Sequence, residues 1–156
     1  MSPSRSSKPS PQIRAQVQVA LATLEAMSTK RDRENLSRFG ITAGRAYGVS
    51  MANIQALARR LGRSHDLAAA LWLTGWYEAR MLTSLVDEPA RVTPAQMDRW
   101  CRDFDNWGIC DTVCFHLFDR TPHAWLKVAQ WHDVGFARRR GAGSGRVRSR
   151  SSRARW

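Results

Sequence analysis

Short helices with hard stops leave this chain little choice of fold. Ser50 stands before Met51, Ile54, Leu57, Ala58 and Leu61, an apolar stripe at helical spacing, and Gly62 follows it. Ser64 then precedes Leu67, Ala70, Leu71 and Thr74, closed by Gly75. A serine hydroxyl accepts from an orphan first-turn N–H, and a glycine takes the left-handed turn that ends a helix. Each stripe therefore carries its own start and stop. Thr93-Pro94-Ala95-Gln96 is a strong start, with Thr as cap, Pro at the first helical position and Gln three residues on. The two-residue alternation of a half-buried strand appears nowhere. Short helices on short connections can bury their stripes only against one another, so the chain is expected to be an all-α stack of antiparallel helix pairs.

The remaining segments fit that frame. Ile13, Val17, Ala20, Leu21, Leu24 and Met27 share one face, and a short helix is expected from Arg33 to Phe39, ended by Gly40. Residues 41–49 read as a connection carrying Gly44 and Gly48. Further helices are expected from Trp76 to Val86, over Met97, Trp100, Cys101 and Phe104, and from Gly108 to Phe118. Thr121-Pro122 opens a last one with Trp125, Val128 and Ala129 in register. Pairs repeat at about 30 residues, shorter than the usual ≈ 40–47 of HEAT-type arrays.

The net charge of +12 sits mostly at the ends. Residues 138–156 hold eight Arg and no acid, and residues 1–15 hold Arg5, Lys8 and Arg14. Between 16 and 137 there are 14 basic and 13 acidic side chains, so the helical part is nearly neutral. The organisation expected is a disordered arm over 1–12, a helical repeat domain over 13–139, and a disordered basic Arg/Ser/Gly tail over 140–156. The change after Arg139 is abrupt. An Arg/Gly/Ser/Ala run is what a shifted reading frame in GC-rich DNA produces, and a natural basic tail has the same composition; the abruptness favours the first. No apolar run approaches the roughly 20 residues that span a bilayer, and the N-terminus has no apolar signal region. A cytoplasmic, nucleoid-associated protein is expected. Cys101, Cys110 and Cys114 lack zinc-finger spacing, and read as small buried hydrophobes.

Three segments carry a resemblance: Tyr47-Gly48-Val49-Ser50, Glu78-Ala79-Arg80-Met81-Leu82, and Phe104-Asp105-Asn106-Trp107-Gly108-Ile109-Cys110-Asp111. Over residues 16–139 the chain resembles the AlkD-like DNA alkylation repair enzymes, the HEAT-like repeat DNA glycosylases. The resemblance implies a right-handed stack of HEAT-like pairs, here truncated, that hydrolyses the N-glycosidic bond of N3- or N7-alkylated purines in duplex DNA. It implies Asp111 as the carboxylate that stabilises charge on the deoxyribose and orients water, and Trp107 as the ring against the sugar. It implies Arg139 as a contact to the DNA backbone, with Arg138 beside it. No cofactor, metal or membrane is expected, and the chain is expected to act as a monomer, impaired by its early end.

From the residues alone the picture is more open. Trp107 and Asp111 are one helical turn apart and so near one face. With Cys110, Val113, Cys114 and Leu117 as the buried stripe, Asp111 falls at its edge and is expected to be partly desolvated, although an Asp in a first helical turn needs no catalytic role. Glu78 and Arg80 read as a structural ion pair or solvated charges, and Trp72 and Trp76 as interhelical packing. No His has a partner at triad-like spacing. A non-catalytic nucleic-acid-binding module and a protein-interaction scaffold stand as alternatives to the glycosylase.

Overall fold

The computed structural model describes residues 8–141, and side chains as far as His132. Among the described residues there are eight α-helices and no strand. They are α1 (Pro11–Ala26), α2 (Lys30–Arg38), α3 (Met51–Leu61), α4 (His65–Trp72), α5 (Tyr77–Val86), α6 (Pro94–Arg102), α7 (Trp107–His116) and α8 (Ala124–Gly141), with short 3-10 turns at Pro89–Arg91 and Phe118–Arg120. Contacts divide the chain after Ala124, so α1–α7 form one compact unit and α8 belongs almost wholly to another. The tail expected over 140–156 lies outside the described residues beyond Gly141.

The starts follow side-chain caps. Ser10, Thr29, Ser50, Ser64, Thr93 and Asn106 each accept from the backbone N–H three residues on. Replacing such a cap with Ala typically costs about 1 kcal/mol. Two boundaries differ from the expectation for the same reason. The Ser10 cap with Pro11 starts α1 two residues before Ile13, and the Thr29 cap starts α2 at Lys30 rather than Arg33. A polar first turn leaves no apolar signal to read.

Within the first unit, α5 is the hub. It packs against α1, α3, α4 and α7, and α1 packs on α4. The α3, α5 and α7 row thus lies against the α4 and α1 row, two layers sharing one core. Ala20, Leu24, Leu67, Leu71, Ala79, Leu82, Val86 and Val113 are all but fully buried in it. Trp72 stacks on Trp100 at 4.1 Å, and its indole N–H donates to Asp103 Oδ2 at 2.8 Å. The Arg80 guanidinium lies over the Trp72 ring, 5.0 Å from its centre, and donates to the Asp103 carbonyl. Asp87, fully buried, ties three elements together: it is bonded to His65 Nδ1 at 2.7 Å and accepts from the Gln96 amide at 2.8 Å and the Glu88 N–H at 2.7 Å. Burial pushes its carboxyl up from the usual carboxylate range, against those hydrogen bonds.

Glu78 is neither an ion-pair partner nor a solvated charge. It is fully buried at the start of α5, where its carboxylate accepts from Tyr47 N at 3.0 Å and Gly48 N at 2.7 Å. That fixes the 41–49 connection against the core, and Trp76 stacks on Tyr47 at 4.0 Å. The connection in turn holds α2, which buries no residue of its own. Thr29 N donates to Gly48 O at 2.8 Å, and the Arg33 guanidinium donates twice to Tyr47 O, at 3.2 and 2.9 Å.

Gly48 is required here. Its φ is +85°, and a Cβ would lie 2.6 Å from the Arg33 backbone nitrogen. Gly48→Ala is expected to lower stability by about 2 kcal/mol or more, since both the backbone conformation and the contact are lost. Gly44, with nothing within 4 Å of its Cβ position, serves as the control in the same urea titration, where Gly44→Ala should change stability by about 0.5 kcal/mol or less.

On α8, Trp125, Val128 and Ala129, expected in register on one face, are exposed. Trp125 is 86% exposed and Val128 is 56% exposed. Periodicity names a face of a helix but not what covers it.

Candidate nucleic-acid interface

The site is built on the first turn of α7. Asn106 caps it by accepting from Ile109 N at 3.0 Å. Gly108 lets the turn approach its neighbours closely: a Cβ there would lie 2.9 Å from the Tyr77 hydroxyl and 3.1 Å from Ile41 Cδ1. Tyr77, buried at the start of α5, has its phenol pushed up to about 12, first by desolvation and then by the Glu78 charge. With Gly108 facing inward, Trp107 turns out. Its side chain is 53% exposed, and its indole N–H donates to the Phe39 carbonyl at 3.1 Å.

Asp111 lies one turn further along α7 and is exposed. The expected partial desolvation is therefore corrected. The buried positions are Gly108, Ile109 and Val113, continued by Leu117, while Cys110 and Cys114 are only half-buried. Ile109 rather than Cys110 leads the stripe, which places Asp111 about 160° from its centre at 100° per residue. A branched aliphatic outcompetes a thiol for the core. Phe115 is exposed a further turn on, so Trp107, Asp111 and Phe115 make one outward row.

Phe39 adds a residue that no motif in the sequence marks. It is 65% exposed at the end of α2, and its carbonyl orients the Trp107 indole. The one signal available was a lone Phe before a glycine on an otherwise polar helix. Arg138 and Arg139 fall on α8, which carries their backbone, but their side chains lie outside the described residues.

None of the three cysteines is in a disulfide. Burial first, then Cys110 beside it and the negative charges of Asp111 and Asp119, push the Cys114 thiol up to about 12. At pH 8 its thiolate is scarcer than that of a free cysteine by roughly three orders of magnitude. Iodoacetamide at pH 8 is expected to label Cys114 at least about 100-fold more slowly than a peptide thiol, as read by mass spectrometry of the tryptic digest. Among the described residues no three His, Cys, Asp or Glu side chains converge where they could hold a metal ion. Nor is any described helix long and apolar enough to cross a membrane.

A family model described as DNA alkylation repair enzyme matches residues 20–140. The chain belongs to that family. The match takes in every helix of the first unit that bears on the interface, α7 included, and nearly all of α8. No curated protein matches this DNA alkylation repair family member. Among solved structures it is similar to one described as a new family of proteins related to the HEAT-like repeat DNA glycosylases with affinity for branched DNA structures. The TM-score is 0.69 at 20% identity, over 76% of this chain and 50% of that one. The fold is thus that of the HEAT-like repeat proteins, and this family member spans half the length of that relative.

Proposed function

We propose that the protein is a DNA glycosylase that hydrolyses the N-glycosidic bond of N3- or N7-alkylated purines in duplex DNA. The observation that carries the reading is the outward row on α7: an anchored, half-exposed Trp107 and, one turn on, an exposed carboxylate at Asp111, in a chain of the DNA alkylation repair family. An indole and a carboxylate on one open helix face suit a nucleotide that approaches from solvent. An alkylated purine carries positive charge and is already a good leaving group. As the bond breaks, its electron pair goes to the departing base, which becomes neutral, and positive charge grows on the sugar at C1′. A carboxylate stabilises such an oxocarbenium-like centre. Water then adds its oxygen to C1′ and loses a proton toward Asp111.

In this reading Trp107 sets its ring against the sugar, held in orientation by the Phe39 carbonyl, and the Phe39 side chain adds a second aromatic surface. Arg139, with Arg138 beside it, contacts the DNA backbone, where a guanidinium suits phosphate. The protein acts as a monomer without cofactor, and the basic tail adds affinity that reads no sequence and falls with salt.

A second reading is a non-catalytic DNA-binding protein. It is favoured by the structural similarity to proteins with affinity for branched DNA. Release of 7-methylguanine from methylated duplex DNA by the purified protein, beside Asp111→Asn, separates the two. Release that depends on Asp111 supports the glycosylase. Binding of branched DNA without any release supports the second reading and sinks the first.

A further inference from the structure

Among the described residues of the first unit, the exposed aromatic side chains are Phe39, Trp107 and Phe115, and all of them belong to one surface. Phe39 orients the Trp107 indole through its carbonyl, and Phe115, 69% exposed, closes the outward row on α7. Every other described aromatic side chain of that unit is buried or half-buried. The row holds no cation, so what it offers a nucleic acid beside the Asp111 carboxylate is ring surface.

The simplest account is that a lone exposed apolar side chain is ordinary and needs no explanation. Val19 on α1 and Leu73 at the end of α4 are of that kind. That account does not explain why the exposed rings gather around one carboxylate. Nor does the core claim Phe115. The stripe that α7 buries is Gly108, Ile109 and Val113, continued by Leu117, and Phe115 stands about 120° from its centre at about 100° per residue.

We propose that Phe115 is a wedge that enters the base stack of the damaged strand a few nucleotides from the lesion and opens one base step there. The proposal rests on the reading that Trp107 and Asp111 meet the lesion-bearing nucleotide. Phe115 lies two helical turns and a little beyond Trp107, about 12 Å along the axis of α7 and only about 80° around it. Successive nucleotides of a strand advance about 3.4 Å, so a strand laid along the row brings a base step to Phe115 about three to four nucleotides from the one at Trp107. Apolar side chains, Phe among them, enter base steps, partly unstack them and kink the duplex. The ring leaves water for the faces of the bases, which favours the insertion. A step that is already loosened costs less to open. The wedge therefore makes the protein favour a strand whose stack is weak beside the lesion.

The test is a set of duplexes with a tetrahydrofuran abasic site in place of the lesion, so that no base is released, and 2-aminopurine at successive positions of the same strand. The fluorescence of 2-aminopurine rises when its neighbours unstack. On binding of the full chain it is expected to rise at least about twofold at a position about three to four nucleotides from the abasic site. Phe115 is exposed and adds nothing to the core, so Phe115→Ser leaves the fold intact. That variant should bind the duplex without the rise, while Leu73→Ser, which removes an exposed apolar side chain elsewhere, should keep it. If the duplex binds and no such position brightens, or the rise survives in Phe115→Ser, Phe115 is not a wedge and the proposed function stands. If the unaltered protein binds no duplex at any salt concentration, both are overturned.

Discussion

Asp111→Asn is expected to lower release of 7-methylguanine from methylated duplex DNA by about two orders of magnitude, the usual cost of removing one group aimed at transition-state charge. The substitution keeps the size of the side chain and takes away its charge. Asp111 is exposed on α7 and contributes nothing to the core, so stability should change by no more than about 0.5 kcal/mol. Affinity for undamaged duplex should hold or rise slightly, because a negative charge leaves the DNA-facing surface. In the free protein the carboxylate meets water, which screens its field. A DNA strand laid over α7 displaces that water, and the same charge then acts through a lower dielectric on the sugar beside it. Loss of release with binding and folding preserved is therefore the signature to look for. Undiminished release by the Asn variant would remove Asp111 from the chemistry.

The largest expected effect on stability belongs to Glu78. Glu78→Ala leaves the N–H groups of Tyr47 and Gly48 buried with no acceptor, and each loses a hydrogen bond to a charged group worth about 1.5–3 kcal/mol. A loss of about 3–5 kcal/mol in a urea titration is expected, a large share of the roughly 5–15 kcal/mol typical of a domain. Glu78→Gln keeps one acceptor oxygen and should lose about half as much. The damage should reach the interface as well. Ile41, at the start of the connection that Glu78 fixes, packs beneath Gly108 at the first turn of α7. A loosened connection thus loosens the seat of Trp107. Destabilisation of less than about 1 kcal/mol in Glu78→Ala would mean that the connection is held by something else.

What could be read from the sequence was what is local. Ser50, Ser64 and Thr93 announce their helices because a cap and its N–H lie three residues apart. The stripes of α3 and α4 follow from periodicity alone. What could not be read depends on partners far along the chain. Glu78 looks like any helix-start acid until the backbone of Tyr47 and Gly48, about 30 residues earlier, is seen to donate to it. Asp111 reads as partly desolvated only while Cys110 leads the buried stripe, a rank that Ile109 holds. Phe39 and the α2 start went unseen for a related reason: a helix that buries nothing writes no pattern into its sequence.

That unburied α2 has a consequence for the indole beside it. A helix suspended by hydrogen bonds to the 41–49 connection, with no apolar face committed to the core, opens at a lower free energy than its neighbours. Its last carbonyl, that of Phe39, is the acceptor that orients Trp107. Local opening of α2 and release of the Trp107 ring are therefore one event. In the proposed reading the ring set against the sugar is oriented by a helix that buries no residue, while the carboxylate one turn away rides on a helix packed into the core. Under that reading, one half of the site adjusts to a misshapen nucleotide without moving the other.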